Sequence, residues 1–158
     1  MKKAIIISCF GWYAERLIYI EEVLKGKGFS VEIYNSDFSH FKKNRVVKSN
    51  NCNYVHVPSY KKNLSLARLY SHVVFSYKLL QILKDKQPDF VYALVPPNSV
   101  AKACAAYKKK YRNTFLVYDI IDMCYTQRLI NDKESNIVRL DRYESNSIKY
   151  YINYIYKI

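Results

Sequence analysis

Apolar residues along this chain of 158 fall into two spacings. Short runs and period-two stretches of Ile, Val, Phe and Tyr predict strands, and recurrences every three or four residues predict helices. Lys3 to Ser8 reads as a buried first strand, and Cys9-Phe10-Gly11-Trp12 as the loop that leaves it. Leu17, Ile18, Ile20 and Leu24 stand at helical spacing, predicting a helix over about Tyr13 to Lys25 that Gly26 and Gly28 end. Phe29 to Tyr34 alternates apolar and polar residues and predicts a second strand. Asn35 to Asn53 is polar, basic and loop-like. Tyr54 to Val57 reads as a short third strand closed by Pro58.

Asn63 is placed to cap a long helix over Leu64 to Lys84, with an apolar stripe of Leu66, Leu69, Tyr70, Val73, Tyr77, Leu80 and Leu83. Pro88 introduces a fourth strand, Phe90 to Val95, which Pro96-Pro97 stops. Asn98 or Ser99 caps a helix over Val100 to Tyr111, and Thr114 to Tyr118 forms a fifth strand ending in Asp119. Asp122 to Ser135 reads as a loop with a short helix, and Ile137 to the end as an amphipathic helix.

Strands alternating with helices predict an α/β domain of Rossmann-like build, a mostly parallel sheet covered on both faces. Right-handed crossovers then put every strand's carboxyl end on one rim, where ligands bind in this architecture. The loops at Cys9–Trp12, Asn35–Asp37, Pro96–Ser99 and Asp119–Asp122 are therefore the ones to inspect. The length suits one domain and falls short of two full Rossmann-like domains.

Charge sharpens the picture. The net charge of +13 comes entirely from Phe38 to Tyr118, which holds fifteen basic residues against Asp85 and Asp89. No acid occurs between Asp37 and Asp85. Such a one-sided field suits an anionic lipid surface, a pyrophosphate-bearing substrate or nucleic acid. Lys42, Lys43, Arg45, Lys61, Lys62 and Arg68 are the candidates to face membrane or phosphate. No nucleic-acid motif is present and the lysines are not interleaved with a stacking platform, so a nucleic-acid-binding module is the alternative rather than the leading reading.

Other signals narrow the chemistry. The opening apolar run is too short for a secretory signal, and no window approaches a membrane span, so a cytoplasmic protein is expected. Cys9, Cys52, Cys104 and Cys124 are scattered without zinc-ligand spacing, and no metal site is expected. His40, His56 and His72 have no acid or serine nearby in sequence, so no triad is argued. A receiver domain would need acids where Ser8 and Cys9 stand.

The rim residues each admit two readings. Gly11 lets a phosphate approach a helix amino terminus or merely permits a turn. A full dinucleotide fingerprint of three glycines is absent. Val95-Pro96-Pro97-Asn98-Ser99 borders a site or simply punctuates strand and helix. Asp119 and Asp122 orient sugar hydroxyls or tie down a loop.

Three stretches resemble the amino-terminal domain of glycosyltransferase family 4, enzymes of the GT-B fold. They are Gly11-Trp12-Tyr13-Ala14-Glu15-Arg16 through Gly26-Lys27-Gly28-Phe29-Ser30-Val31, then Pro88-Asp89-Phe90-Val91-Tyr92-Ala93 through Pro97, and Leu116-Val117-Tyr118-Asp119-Ile120-Ile121-Asp122-Met123. Cys124-Tyr125 stands where the family has Trp-Pro. The resemblance implies the acceptor-side half of an enzyme that moves a sugar from a nucleotide donor to a lipid-linked or other saccharide acceptor. It implies acceptor contacts at Gly11, Trp12, Pro97, Asn98, Asp119 and Asp122. No tightly bound cofactor is implied; the nucleotide-sugar donor would be held by a second domain or subunit. The resemblance and the basic stretch together give a peripheral place on the inner membrane face as an expectation, with no transfer activity from this chain alone.

Overall fold

The computed structural model describes residues 1–11, 14–120 and 137–141. Its elements are β1 (Lys2–Ser8), α1 (Ala14–Gly26), β2 (Phe29–Ser36), β3 (Asn53–Val55), α2 (Leu66–Lys86), β4 (Phe90–Val95), α3 (Asn98–Lys110), β5 (Phe115–Ile120) and β6 (Ile137–Asp141). The six strands form one sheet in the order β3-β2-β1-β4-β5-β6. Every pair of neighbours is parallel. This is the Rossmann-like α/β arrangement that the alternating pattern predicts.

Period-two burial divides the core between the two faces of the sheet. On one face Ala4, Ile6, Tyr92, Leu94 and Val117 pack with Leu17, Ile20 and Leu24 of α1. On the other, Ile5, Ile7, Val91, Ala93, Leu116 and Tyr118 meet Phe75, Leu79 and Leu83 of α2 and Val100 and Cys104 of α3. All six residues of β4 are buried, as expected of a central parallel strand.

Three expectations need correction. Ile137 begins a strand, not an amphipathic helix: Ile137–Asp141 pairs with β5 from Leu116↔Ile137 to Ile120↔Asp141. The open edge of β5 supplies backbone partners that a local helical pattern cannot anticipate. Helix α2 is capped by Ser65, whose side chain accepts from the Arg68 amide at 3.2 Å, while Asn63 lies before the first turn and serves Lys43 and Arg68 instead. Asp119 lies within β5 rather than after it, because the register Leu94↔Asp119 and Val95↔Ile120 extends the strand.

Helix α2 also turns a different face inward. Its buried residues are Ser71, His72, Phe75, Ser76, Leu79 and Leu83. The predicted stripe is left largely outside, with Leu66 83%, Leu69 58%, Tyr70 61%, Val73 49% and Tyr77 65% exposed. Both faces have helical spacing, so periodicity alone does not choose between them. Contact with α3 does. Ser76 and Ser99 hydroxyls stand 2.8 Å apart, and Ser76 also donates to the His72 carbonyl at 2.8 Å. Small serines let the two helices approach while their hydroxyls stay satisfied.

Candidate functional site at the carboxyl rim

Parallel pairing brings the exits of β1, β4 and β5 to one rim. Ile7 is opposite Ala93, and Leu94 opposite Asp119. The strand order reverses between β1 and β4, the switch point at which open α/β sheets leave a crevice. Gly11 stands at one side of it, exposed and with φ 64°, a backbone conformation that favours glycine. Pro97 and Asn98 stand at the other: Pro97 is buried as the residue before α3, and Asn98 is its first residue. Trp12 and Asp122 lie outside the described residues.

A groove of about 930 Å³ opens beside β1 and β2, lined among others by Phe10, Gly11, Asn35, Ser36, Lys42 and Arg45. Its outer wall is the basic loop. This loop is ordered by an antiparallel bridge between Phe38 and Arg45 and by amide bonds from Ser39 to Asn44 and from Val46 to Asp37. Asp37 is its anchor. One carboxylate oxygen accepts from Arg45 at 2.7 Å and from the Val57 amide at 3.0 Å, and the other lies 2.6 Å from His56 Nδ1. Burial pushes the Asp37 carboxyl up, but His56, the Val57 amide and Arg45 together outweigh it and hold it below its ordinary value.

The predicted cations therefore divide. Lys42, Lys61 and Lys62 are exposed. Arg45 is committed to Asp37 and to the Val57 carbonyl at 2.9 Å, although its side chain is half exposed. Lys43 donates to the His40 carbonyl and to Asn63. Arg68 donates to the Asn63 carbonyl at 2.9 Å.

Asp119 projects to the α1 face. Arg16 Nη1 donates to its two oxygens at 3.0 and 2.7 Å, and the Tyr92 hydroxyl donates at 2.6 Å. Burial, then the Asp119 charge, drives the Tyr92 hydroxyl well above its ordinary pKa, so it remains a donor. Asp119 thus ties α1 to β5 through Arg16 and to β4 through Tyr92.

Sequence reasoning missed a polar cluster between β1 and α2. His40 Nδ1 lies 2.6 Å from the Tyr60 hydroxyl, and the Phe10 ring lies 4.9 Å from His40 and 5.1 Å from His72. Burial, with the nearby charges of Lys43 and Arg68, lowers His40 to about 4. Burial, then Arg68 and His40, lowers His72 to about 4. Arg68 Nε, His72 Nε2 and Asn98 Oδ1 are buried and meet no hydrogen-bond partner among the described residues. Each such atom costs about 1–3 kcal/mol when left unpaired. The signal available beforehand was the four-residue spacing of Arg68 and His72, which puts them on one helix face.

No group of three His, Cys, Asp or Glu among the described residues is placed to hold a metal ion, and no helix there is long and apolar enough to cross a membrane. No protein-family profile matches the chain, and no curated protein matches it by sequence.

Solved structures do match. The glycosyltransferase SnogD from Streptomyces nogalater superposes with a TM-score of 0.50 at 14% identity, over 77% of this chain and 33% of that one. Sucrose-phosphate synthase from Thermosynechococcus elongatus gives 0.50 at 11% identity, again over 77% and 33%. A candidate lipoprotein fragment from Peptoclostridium difficile 630 gives 0.50 at 18% identity over 99% of this chain and 98% of that one. At these identities the likeness is one of fold. The chain spans about a third of the length of the first two.

Proposed function

We propose that this domain is the acceptor-binding half of a sugar-nucleotide-dependent glycosyltransferase, acting on a saccharide acceptor carried at an anionic membrane. The observation that carries the reading is the β1/β4 switch point, where Gly11 follows β1 and Pro97 and Asn98 follow β4. The fold shared with a third of SnogD supports it. In this reading the crevice and the adjoining groove receive the acceptor, and Asp119 holds α1 in place through Arg16. The nucleotide-sugar donor is held by a second domain or subunit. Glycosyltransferase family 4 is the group whose motifs the chain resembles.

Two features support a membrane-borne acceptor. Lys42, Lys61 and Lys62 are exposed, and each cation near an anionic surface contributes about 1 kcal/mol. Beside them Phe41, Val47, Leu64 and Leu66 are also exposed, apolar groups suited to the headgroup boundary. The exposed cations and the apolar groups beside them together fit an anionic lipid surface as the occupant of this face.

The test uses the purified chain. Backbone NMR with a panel of methyl hexosides should shift the Phe10, Gly11 and Asn98 amides, and sugar nucleotides alone should not be turned over. Shifts spread away from the crevice, with strong retention of RNA or DNA on filters and no sedimentation with anionic vesicles, would reverse the reading in favour of a nucleic-acid-binding module.

A further inference from the structure

Arg68 and His72 stand four residues apart on α2, and each has a buried nitrogen without a partner among the described residues. His72 as a whole is 8% exposed. Ser99, the second residue of α3, meets the His72 carbonyl at 3.2 Å, which sets the start of α3 against this part of α2. Phe10, at the exit of β1, packs on the His72 ring. Arg68 Nε, His72 Nε2 and Asn98 Oδ1 thus belong to the elements that meet at the switch point.

Among the described residues the charges there are of one sign. Arg68 makes no ion pair among the described residues, and Lys43 adds a second cation close enough that each disfavours protonation of His40. The nearest acid before them in sequence, Asp37, is occupied by Arg45 and His56. Of the Arg68 guanidinium only Nε is buried without a partner; the side chain is partly exposed and its Nη1 donates to the Asn63 carbonyl. The first turn of α3 adds to the field: it carries no acid, and Pro97 before it makes no side-chain cap bond. Its amides present the positive end of a thirteen-residue helix.

We propose that Arg68, His72 and the amino-terminal turn of α3 bind the phosphate of a phosphorylated ligand at the β1/β4 crevice. Arg68 Nε and neutral His72, carrying its proton on Nε2, donate to two phosphate oxygens. Asn98 offers its side-chain amide to a third or accepts from a hydroxyl beside it. The location rests on the acceptor-site reading, and the new element is that the acceptor bears a phosphoester close to the sugar. A dianion held there raises His72 from its low value, against Arg68 on its own helix, His40 and Tyr60 from the loop, Phe10 from β1 and Ser99 from α3.

Imidazole-nitrogen NMR on the whole chain tests this. Inorganic pyrophosphate is one probe, and phosphatidylcholine vesicles containing phosphatidic acid are the other. The expected result is a saturable change in the His72 Nε2 resonance and a midpoint of its titration at least tenfold lower in proton concentration. Arg68→Gln should weaken binding at least tenfold, while Lys109→Gln, exposed at the far end of α3, stays within twofold. A response to pyrophosphate assigns a soluble phosphoester, and one to vesicles alone assigns a lipid phosphate. Absence of a His72 response with both probes overturns the proposal, as does equal weakening by Lys109→Gln, the mark of diffuse surface charge. The resonance is read on the unsubstituted chain, so poor folding of Arg68→Gln leaves the test intact. If neither probe moves His72 while methyl hexosides still shift Gly11 and Asn98, the acceptor reading stands and the phosphate site does not.

Discussion

Arg16 and Asp119 link α1 to β5, with Arg16 Nη1 2.7 Å from one oxygen of a carboxylate that is almost fully buried. The pair is joined by Tyr92 at 2.6 Å, so the carboxylate has a donor from a helix and another from the neighbouring strand. Its partners span 103 residues of sequence, which makes the contact wholly tertiary.

Removing the cation should hurt more than neutralising the acid. Arg16→Met leaves the buried Asp119 charge with Tyr92 as its side-chain donor, and should cost about 3 kcal/mol. Asp119→Asn keeps an acceptor for Tyr92 and releases an Arg16 that already reaches solvent, and should cost about 1–2 kcal/mol. Urea unfolding of both variants checks the order. Equal small losses would show that the pair does not fasten α1.

Acid should destabilise the fold before its carboxylates titrate. His40 and His72 are lowered to about 4 when folded, against 6.5 as the ordinary value. The unfolded chain therefore binds more protons between these limits, and stability is lost as pH falls from about 6.5 towards 4. A tenfold change in a proton affinity is worth about 1.4 kcal/mol, so the two histidines, after partial screening by solvent, give a loss of a few kcal/mol. Arg68, Lys43 and Tyr60 surround them, while Asp37 and Glu32, both held below their ordinary values, add their own loss further down. Unfolding midpoints at pH 7, 6, 5 and 4.5 should fall steadily, and His72→Gln should flatten the slope. A flat profile over that range would count against burial of the pair.

The two faces of α2 should answer differently to substitution. Leu79 is fully buried, and Leu79→Ala should cost about 2–5 kcal/mol. Leu69→Ser and Tyr77→Ser lie on the exposed face and should stay within about 0.5 kcal/mol of the parent. The same two substitutions together should reduce sedimentation with anionic vesicles at least fivefold if this face meets lipid. Destabilisation by Leu69→Ser comparable with Leu79→Ala would place the sheet on the other side of the helix.

Much of the architecture was legible before folding. The runs at Ile5–Ile7 and Phe90–Val95 are apolar enough to be strands only if covered on both faces, and so they are. Gly11, Pro97 and Asn98 fell at strand exits because turn chemistry is local. The ends of β2 and β5 were less legible, since neighbours rather than their own residues extend them to Ser36 and Ile120.

The chain alone therefore determined the alternation of strands and helices, their parallel association and the basic stretch, because each follows from short-range periodicity or from a sum of charges. Only the tertiary structure decided which apolar stripe of α2 is buried, that Asp119 serves Arg16 and Tyr92, and that Arg68, His72 and Asn98 each keep a buried polar atom without a partner among the described residues. Those outcomes depend on how helices dock on a sheet, where a contact between distant residues selects among faces that are equivalent in periodicity. Hydrophobic burial is non-directional, whereas hydrogen bonds and ion pairs are not, and it is they that fix the choice.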